Sequence, residues 1–156
     1  MARAGFWAIE NMTIRFGRDG RWYSDDEPIE NRRIADLFSR HVTRDGDGGW
    51  WLVIGDEHAR IVVDDTAWVV VRVDGDPARG FTIELNDGIR EELSTGSLRL
   101  GDGHVLYCDV KGGAFPARFL RGAQAELLGH VEARAERFVL PLPGGAHQEI
   151  RPAKAD

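Results

Sequence analysis

The order of turns, strands and helix along residues 1–75 recurs along residues 76–156. A chain with such a period folds as two like units that bury their apolar faces in turn. In the first stretch Asp19-Gly20 turns a strand into Arg21-Trp22-Tyr23, Pro28 opens a helical stretch, a glycine-rich turn follows, and Trp50-Trp51 begin a hairpin. In the second, Asp102-Gly103, Tyr107, Pro116 and Phe138 take the places of Asp19-Gly20, Tyr23, Pro28 and Trp51. The expectation is an α+β fold of two repeated hairpin–helix–hairpin units with antiparallel sheets. The first repeat covers 1–75 and the second 76–156, together one compact unit.

Periodicity sets the elements. Met12 to Phe16 alternates as a half-buried strand, and Gly17-Arg18-Asp19-Gly20 turns it back. Ile34, Leu37, Phe38, His41 and Val42 recur at helical spacing behind the candidate caps Glu30 and Asn31, which predicts a helix over about 30–43. Strands follow at Trp50 to Ile54, Arg60 to Val63 and Trp68 to Val73. In the second half, strands from Gly80 to Leu85 and Ile89 to Leu93 flank Asn86-Asp87-Gly88, residues that a tight hairpin turn favours. Short strands fit Ser97 to Leu100 and His104 to Val110. A second helix is expected from Pro116 to about 131, its buried stripe being Leu120, Ala123, Leu127 and Val131. Arg137 to Leu142 and His147 to Ile150 close a last hairpin, and 151–156 reads as a loose tail.

At 156 residues the chain is long enough to bury a core without staples, and Cys108, the single cysteine, excludes an intramolecular disulfide. Between Tyr107 and Asp109, with no histidine beside it, Cys108 reads as a packed residue rather than a nucleophile. The apolar stretch Phe6-Trp7-Ala8-Ile9 is too short for a secretory signal and Glu10 interrupts it. Ala67 to Val71, the longest apolar run, is stopped by Arg72 and reads as a buried strand. The protein is therefore expected to be soluble and cytoplasmic, with no membrane partner. The formal charge is −6 and both halves are acidic, which argues against duplex nucleic acid.

Few motifs carry chemistry. Asp45-Gly46-Asp47-Gly48-Gly49 starts like a calcium loop but fails it, with Gly49 and Trp50 at a ligand and a turn position and Asp56 where a bidentate Glu belongs. The five histidines stand at no zinc-type spacing, and neither a metal nor a cofactor is called for. Asp25-Asp26-Glu27 and Asp56-Glu57-His58 read first as turn acids and second as carboxylates for general acid and base work. Lys111-Gly112-Gly113, leading through Pro116 to Arg118 and Arg121, joins a strand end to an expected helix start, where free backbone donors and the helix dipole attract anions. Adjacent Trp50 and Trp51 point to opposite faces of a strand, so one is a candidate for a surface.

These residues also form an ordered set. Phe16-x-x-Asp19-Gly20-x-Trp22-Tyr23, Pro28-Ile29, Leu37-Phe38, Asp47-Gly48 and Glu57-x-x-x-Ile61-x-Val63-x-Asp65-x-x-Trp68 come first. Leu98-x-Leu100, Tyr107-x-x-Val110-Lys111-Gly112-Gly113 and Arg121-x-x-x-x-Glu126-Leu127 complete it. The set resembles the bacterial domain-of-unknown-function family 1285. The resemblance implies a duplicated α+β fold whose second half is loosely pleckstrin-homology-like, a ligand site between the halves for a nucleotide-like signal molecule, and no established enzymatic activity.

The function expected is thus that of a non-enzymatic binding or regulatory module, with no catalytic residues. Its site would have Lys111, Arg118 and Arg121 contacting an anionic small molecule and Tyr107 or Trp22 stacking on it. The alternative is a protein-interaction module using an exposed sheet edge or a tryptophan face. A hydrolase built on Asp56-Glu57-His58 comes third.

Overall fold

The computed structural model describes residues 12–152, so the stretch at Phe6 to Ile9 and the tail beyond Pro152 lie outside the described residues. Two compact units divide the chain, residues 1–67 and 68–156. The boundary falls earlier than Gly75 because Trp68, Val69 and Val70 are consecutive buried residues. Such a run suits a strand covered on both faces, and this one is central to the second unit's sheet.

In the first unit, strands β1 (Ile14–Phe16), β2 (Trp22–Ser24) and β3 (Glu27–Pro28) precede helix α1 (Arg32–Ser39), and β4 (Val42–Arg44), β5 (Trp50–Ile54) and β6 (Glu57–Val63) follow it. The sheet order is β3-β2-β1-β6-β5-β4, antiparallel except where β1 meets β6 in parallel. Alternation sends Ile14, Phe16, Trp22, Leu52 and Ile61 inward, where Phe38 of α1 joins them. Trp22 packs on Phe16 and edge-on to Phe38, and its indole N–H donates to the buried Ser39 hydroxyl at 2.9 Å. Asn31 caps α1, accepting from the Ile34 amide at 3.2 Å. The helix stops at Ser39 rather than near 43, because β-branched Val42 and Thr43 pair with Leu52 and Trp51 as a strand.

The second unit opens with β7 (Trp68–Asp76), β8 (Gly80–Leu85) and β9 (Arg90–Glu92) and continues with β10 (Arg99–Leu100), β11 (Leu106–Val110) and β12 (Phe115–Phe119). Helix α2 (Arg121–Leu128) then leads into β13 (Glu132–Arg134), β14 (Arg137–Pro141) and β15 (His147–Pro152). Nine strands form one sheet in the order β13-β14-β15-β10-β11-β12-β7-β8-β9, with parallel junctions at β10/β15 and β12/β7. Within it β10 to β15 lie in the order in which β1 to β6 lie in the first unit. The sheets are therefore mixed, not antiparallel, and each block of hairpin, helix and hairpin is in fact three strands, helix and three strands. The helix between the blocks lets first and last strands run parallel, a connection no tight turn can make.

Neither proline opens a helix. Pro28 lies in the edge strand β3, paired with Tyr23, where the missing N–H faces no neighbour on the outer side. Pro116 lies in β12, one residue before the pairing with β7 begins at Ala117↔Trp68. From Phe115 to Phe119 the pattern has period two, with Ala117 and Phe119 buried, and this decides for strand. Helix α2 starts only at Arg121 and buries Ala123 and Leu127. Gln124 pins it to the sheet, accepting from the Leu106 amide and donating to the His104 carbonyl, both at 2.9 Å. The turn at Asn86-Asp87-Gly88 forms as expected, with Gly88 at φ +85° and the Asn86 side chain accepting from the Val69 amide.

Candidate functional site

The residues expected to form a site do not all converge within their own units. Trp22 belongs to the first unit's core at 2% exposure and presents no face to a ligand. Lys111 is turned into its own unit, with its ammonium 2.6 Å from the nearly buried Asp87 carboxylate and 5.6 Å from the Trp68 ring centre. Its backbone N–H points at the Glu91 carboxylate. Trp68 pairs with Ala117 and shares its face, whereas Arg118 is on the opposite face of β12, so Lys111 and Arg118 diverge. Arg121 begins α2, exposed, beyond the end of β12. The loss follows from the strand at Phe115–Phe119, which replaces the helix start that would have gathered the three cations.

Tyr107 and Arg118 do meet. They are register partners on β11 and β12, and the guanidinium Nη1 donates to the phenol oxygen at 3.4 Å. Tyr107 is equally the partner of Arg99 on β10, and Arg99 the partner of Arg151 on β15. Phe138↔Ile150 pairing brings Arg137 of β14 beside Arg151, and Arg137 is the partner of Arg134 on β13. One row thus crosses six neighbouring strands as Arg134, Arg137, Arg151, Arg99, Tyr107 and Arg118. At ~4.8 Å per strand it is about 24 Å long. Period-two alternation puts it on the face opposite the buried Leu106, Cys108 and Val110.

Carboxylates are interleaved with this row. Asp109 accepts from Arg99 at 3.1 Å, Glu132 from Arg134 at 2.7 Å, and Glu149 lies 3.6 Å from Arg151 and 3.9 Å from Arg137. The Tyr107 ring rests on Gly101, where a Cβ would come within 2.8 Å of the ring. Nothing in the local sequence groups Arg134, Arg137, Arg151 and Arg99, and Arg151 on its own reads as tail. A signal was present: Arg99-Leu100-Gly101 ahead of Tyr107 repeats Arg15-Phe16-Gly17 ahead of Tyr23. In the first unit Arg15 is likewise the partner of Tyr23, stacks over its ring at 4.4 Å, and binds Asp64 at 2.6 Å. The Asp64 hydrogen bond holds the Arg15 guanidinium above its ordinary pKa.

A second surface lies on the outer face of β5 and β6. Trp51 faces Arg60 across the pair, the guanidinium 5.0 Å above the indole, and the His58 ring is 5.5 Å away. Met12, Trp51 and residues 56–60 line a depression of about 530 Å³. The Trp51 indole donates to Asp45 at 2.6 Å, and this bond with those from the Gly49 and Asp47 amides holds the Asp45 carboxyl below its usual range. Asp45 thus organises a turn, which accounts for the likeness to a calcium loop. Glu57 and His58 are consecutive in β6 and point to opposite faces, so they do not form an acid–base pair. Asp25 and Asp26 occupy a left-handed turn, accepting from the Thr13 amide and from Arg15.

Among the described residues no helix is long and apolar enough to cross a membrane, and no cluster of three metal-ligating side chains occurs. Residues 7–66 match the domain of unknown function DUF1285, N-terminal domain. The curated proteins gave no match. Among solved structures, a DUF1285 family protein from Silicibacter pomeroyi DSS-3 superposes with a TM-score of 0.66 at 23% identity, over 90% of this chain and 79% of that one. A DUF1285 family protein from Shewanella baltica OS155 gives a TM-score of 0.58 at 16% identity, over 77% of this chain and 93% of that one. At such identities the likeness is one of fold. Residues 7–66 are thus similar to the DUF1285 N-terminal domain, and the fold is like that of the two DUF1285 family proteins.

Proposed function

We propose that the second unit binds an anionic, nucleotide-like small molecule on the segment Arg151, Arg99, Tyr107 and Arg118, and that the chain is a cytoplasmic regulatory binding module rather than an enzyme. The observation that carries this reading is the pairing of Arg99 with Arg151. Two guanidinium groups stand on neighbouring strands there, each with a carboxylate, Asp109 or Glu149, on one side, and an anion held between the two forks gains charge-assisted hydrogen bonds from both. Tyr107 adds a half-buried ring one strand away. The common strand order and the shared Arg-x-Gly pattern further support a duplicated origin for β1–β6 and β10–β15, with β7–β9 added to the second unit.

A thermal-shift screen with pyrophosphate and with adenine and guanine nucleotides tests the proposal, since a ligand specific for the native state raises its melting temperature. Arg118→Ala and Arg151→Ala each remove one charged hydrogen-bond donor and are expected to weaken the best probe by roughly 1.5–3 kcal/mol. No shift with any probe, or unchanged affinity in both variants, would overturn the reading. A protein-interaction module is favoured instead by the first unit, where Val53 at 40% and Val62 at 47% exposure extend the Trp51 face. Binding of an apolar peptide that is lost in Trp51→Ala, with no anion binding anywhere, would put that reading first.

A further inference from the structure

The row does not end where a small molecule would. Past Arg151 it continues through Arg137 to Arg134, and the hairpin pair Arg134↔Arg137 is a second place where arginine faces arginine across neighbouring strands. Their side chains are 50% and 68% exposed, and the intervening Ala135 and Glu136 adopt left-handed backbone, so a tight turn fixes the pair at the rim of the sheet. The row therefore offers three cationic stations: Arg134 with Arg137, Arg151 with Arg99, and Arg118. Successive stations are ~10 to 12 Å apart at ~4.8 Å per strand, which is about three residues of extended polypeptide at ~3.3 Å each.

We infer that this face receives an extended acidic peptide segment of a partner protein, laid across the strands with a carboxylate about every third residue. The inference rests on the anion-binding reading of the same face and extends it to Arg134 and Arg137. Charge complementarity favours a peptide over a single-stranded nucleic acid. Asp109, Glu132 and Glu149 are interleaved with the arginines and would repel an unbroken phosphate backbone, whereas a peptide with spaced acids has neutral residues and amide donors to set against them. Tyr107 is a single ring in the row, where base stacking needs several in succession. Arginine forks match carboxylates in two-point contacts, the usual means by which arginine clusters read acidic motifs.

The test uses the full chain and a fluorescein-labelled peptide of repeated Glu-Gly-Ser units, about nine residues long so as to cover the ~24 Å row. Anisotropy titrations compare it with the same peptide carrying Gln for Glu and with a labelled oligouridylate of similar length. Saturable binding of the Glu peptide alone is expected. The doubly substituted Arg134→Ala/Arg137→Ala chain should lose at least about tenfold in peptide affinity and keep its pyrophosphate affinity, because those side chains lie outside the small-anion segment. An unchanged melting temperature would show that the variant is folded. Equal peptide affinity in variant and parent, no binding of the Glu peptide, or tighter binding of the oligouridylate would each overturn the inference. Absence of pyrophosphate binding to the unsubstituted chain, with the Glu peptide bound, would overturn only the small-molecule reading.

Discussion

Gly101→Ala isolates the Tyr107 ring from the rest of the site. Gly101 has φ −94° and ψ −162°, an extended conformation open to any residue, so the substitution introduces no backbone strain. The added methyl would come to 2.8 Å from Cε1 of Tyr107, and the ring must retreat by about 0.6 Å to reach ordinary contact at 3.4 Å. Overpacking of this kind costs roughly 1–3 kcal/mol. The Tyr107–Arg118 hydrogen bond is already long at 3.4 Å, and a shift of that size breaks it. Urea unfolding should therefore show a loss in that range, and calorimetric titration with pyrophosphate a weaker complex. Gly96→Ala is the control, since nothing stands within 4 Å of its Cβ. A Gly101→Ala chain as stable and as tight-binding as Gly96→Ala would refute the coupling of Tyr107 to Arg118.

Two further outcomes follow from the cores. Phe38→Ala in the first unit and Leu127→Ala in the second, at 6% and 0% exposure, should each cost roughly 2–5 kcal/mol in chemical unfolding, which checks the buried faces of both helices. Cys108 is fully buried, and burial pushes its thiol up to about 12. In the native protein at pH 8 it should resist iodoacetamide and react only when denatured. In the unfolded chain the thiol ionises near pH 9 while the folded one stays protonated, so stability should fall between pH 9 and 12, by up to ~1.4 kcal/mol per pH unit. Rapid alkylation of the native protein would contradict the packing assigned to β11.

What could be read from the sequence was decided by signals of short range. Alternation and turn chemistry placed Ile14–Phe16, the Asn86-Asp87-Gly88 hairpin and the Asn31 cap, because each depends on neighbours only a few residues away. Pro116 misled because proline suits both a first helical turn and a strand position paired on one side only, as here with Asp109. The pairing of β12 with β7, almost fifty residues earlier in the chain, buries Ala117 and Phe119 and so settles the strand. The same long-range pairing brings Arg151 beside Arg99 and so makes the row. Sequence neighbours suggested Lys111, Arg118 and Arg121 as a group, whereas the sheet gathers residues from six strands at one register level.

The two units separate what belongs to the architecture from what belongs to the site. Both carry an arginine opposite a tyrosine that rests on a glycine: Arg15, Tyr23 and Gly17 in one, Arg99, Tyr107 and Gly101 in the other. In both the arginine also binds an aspartate, Asp64 or Asp109. A feature present in each unit at the same register is explained by what the units share, the packing of the first strand against the second. The flanking positions differ. Beside Arg15 and Tyr23 stand Val62 and Pro28, neither of which can hold an anion, whereas beside Arg99 and Tyr107 stand Arg151 and Arg118. Removing Arg99 should therefore lower stability, as removing Arg15 should. Removing Arg118 or Arg151 should weaken anion binding with little effect on unfolding. Thermal melts and pyrophosphate titrations on the four single alanine variants separate these effects. An Arg118→Ala or Arg151→Ala chain destabilised as much as Arg15→Ala, with pyrophosphate affinity intact, would make the row a structural ladder and nothing more.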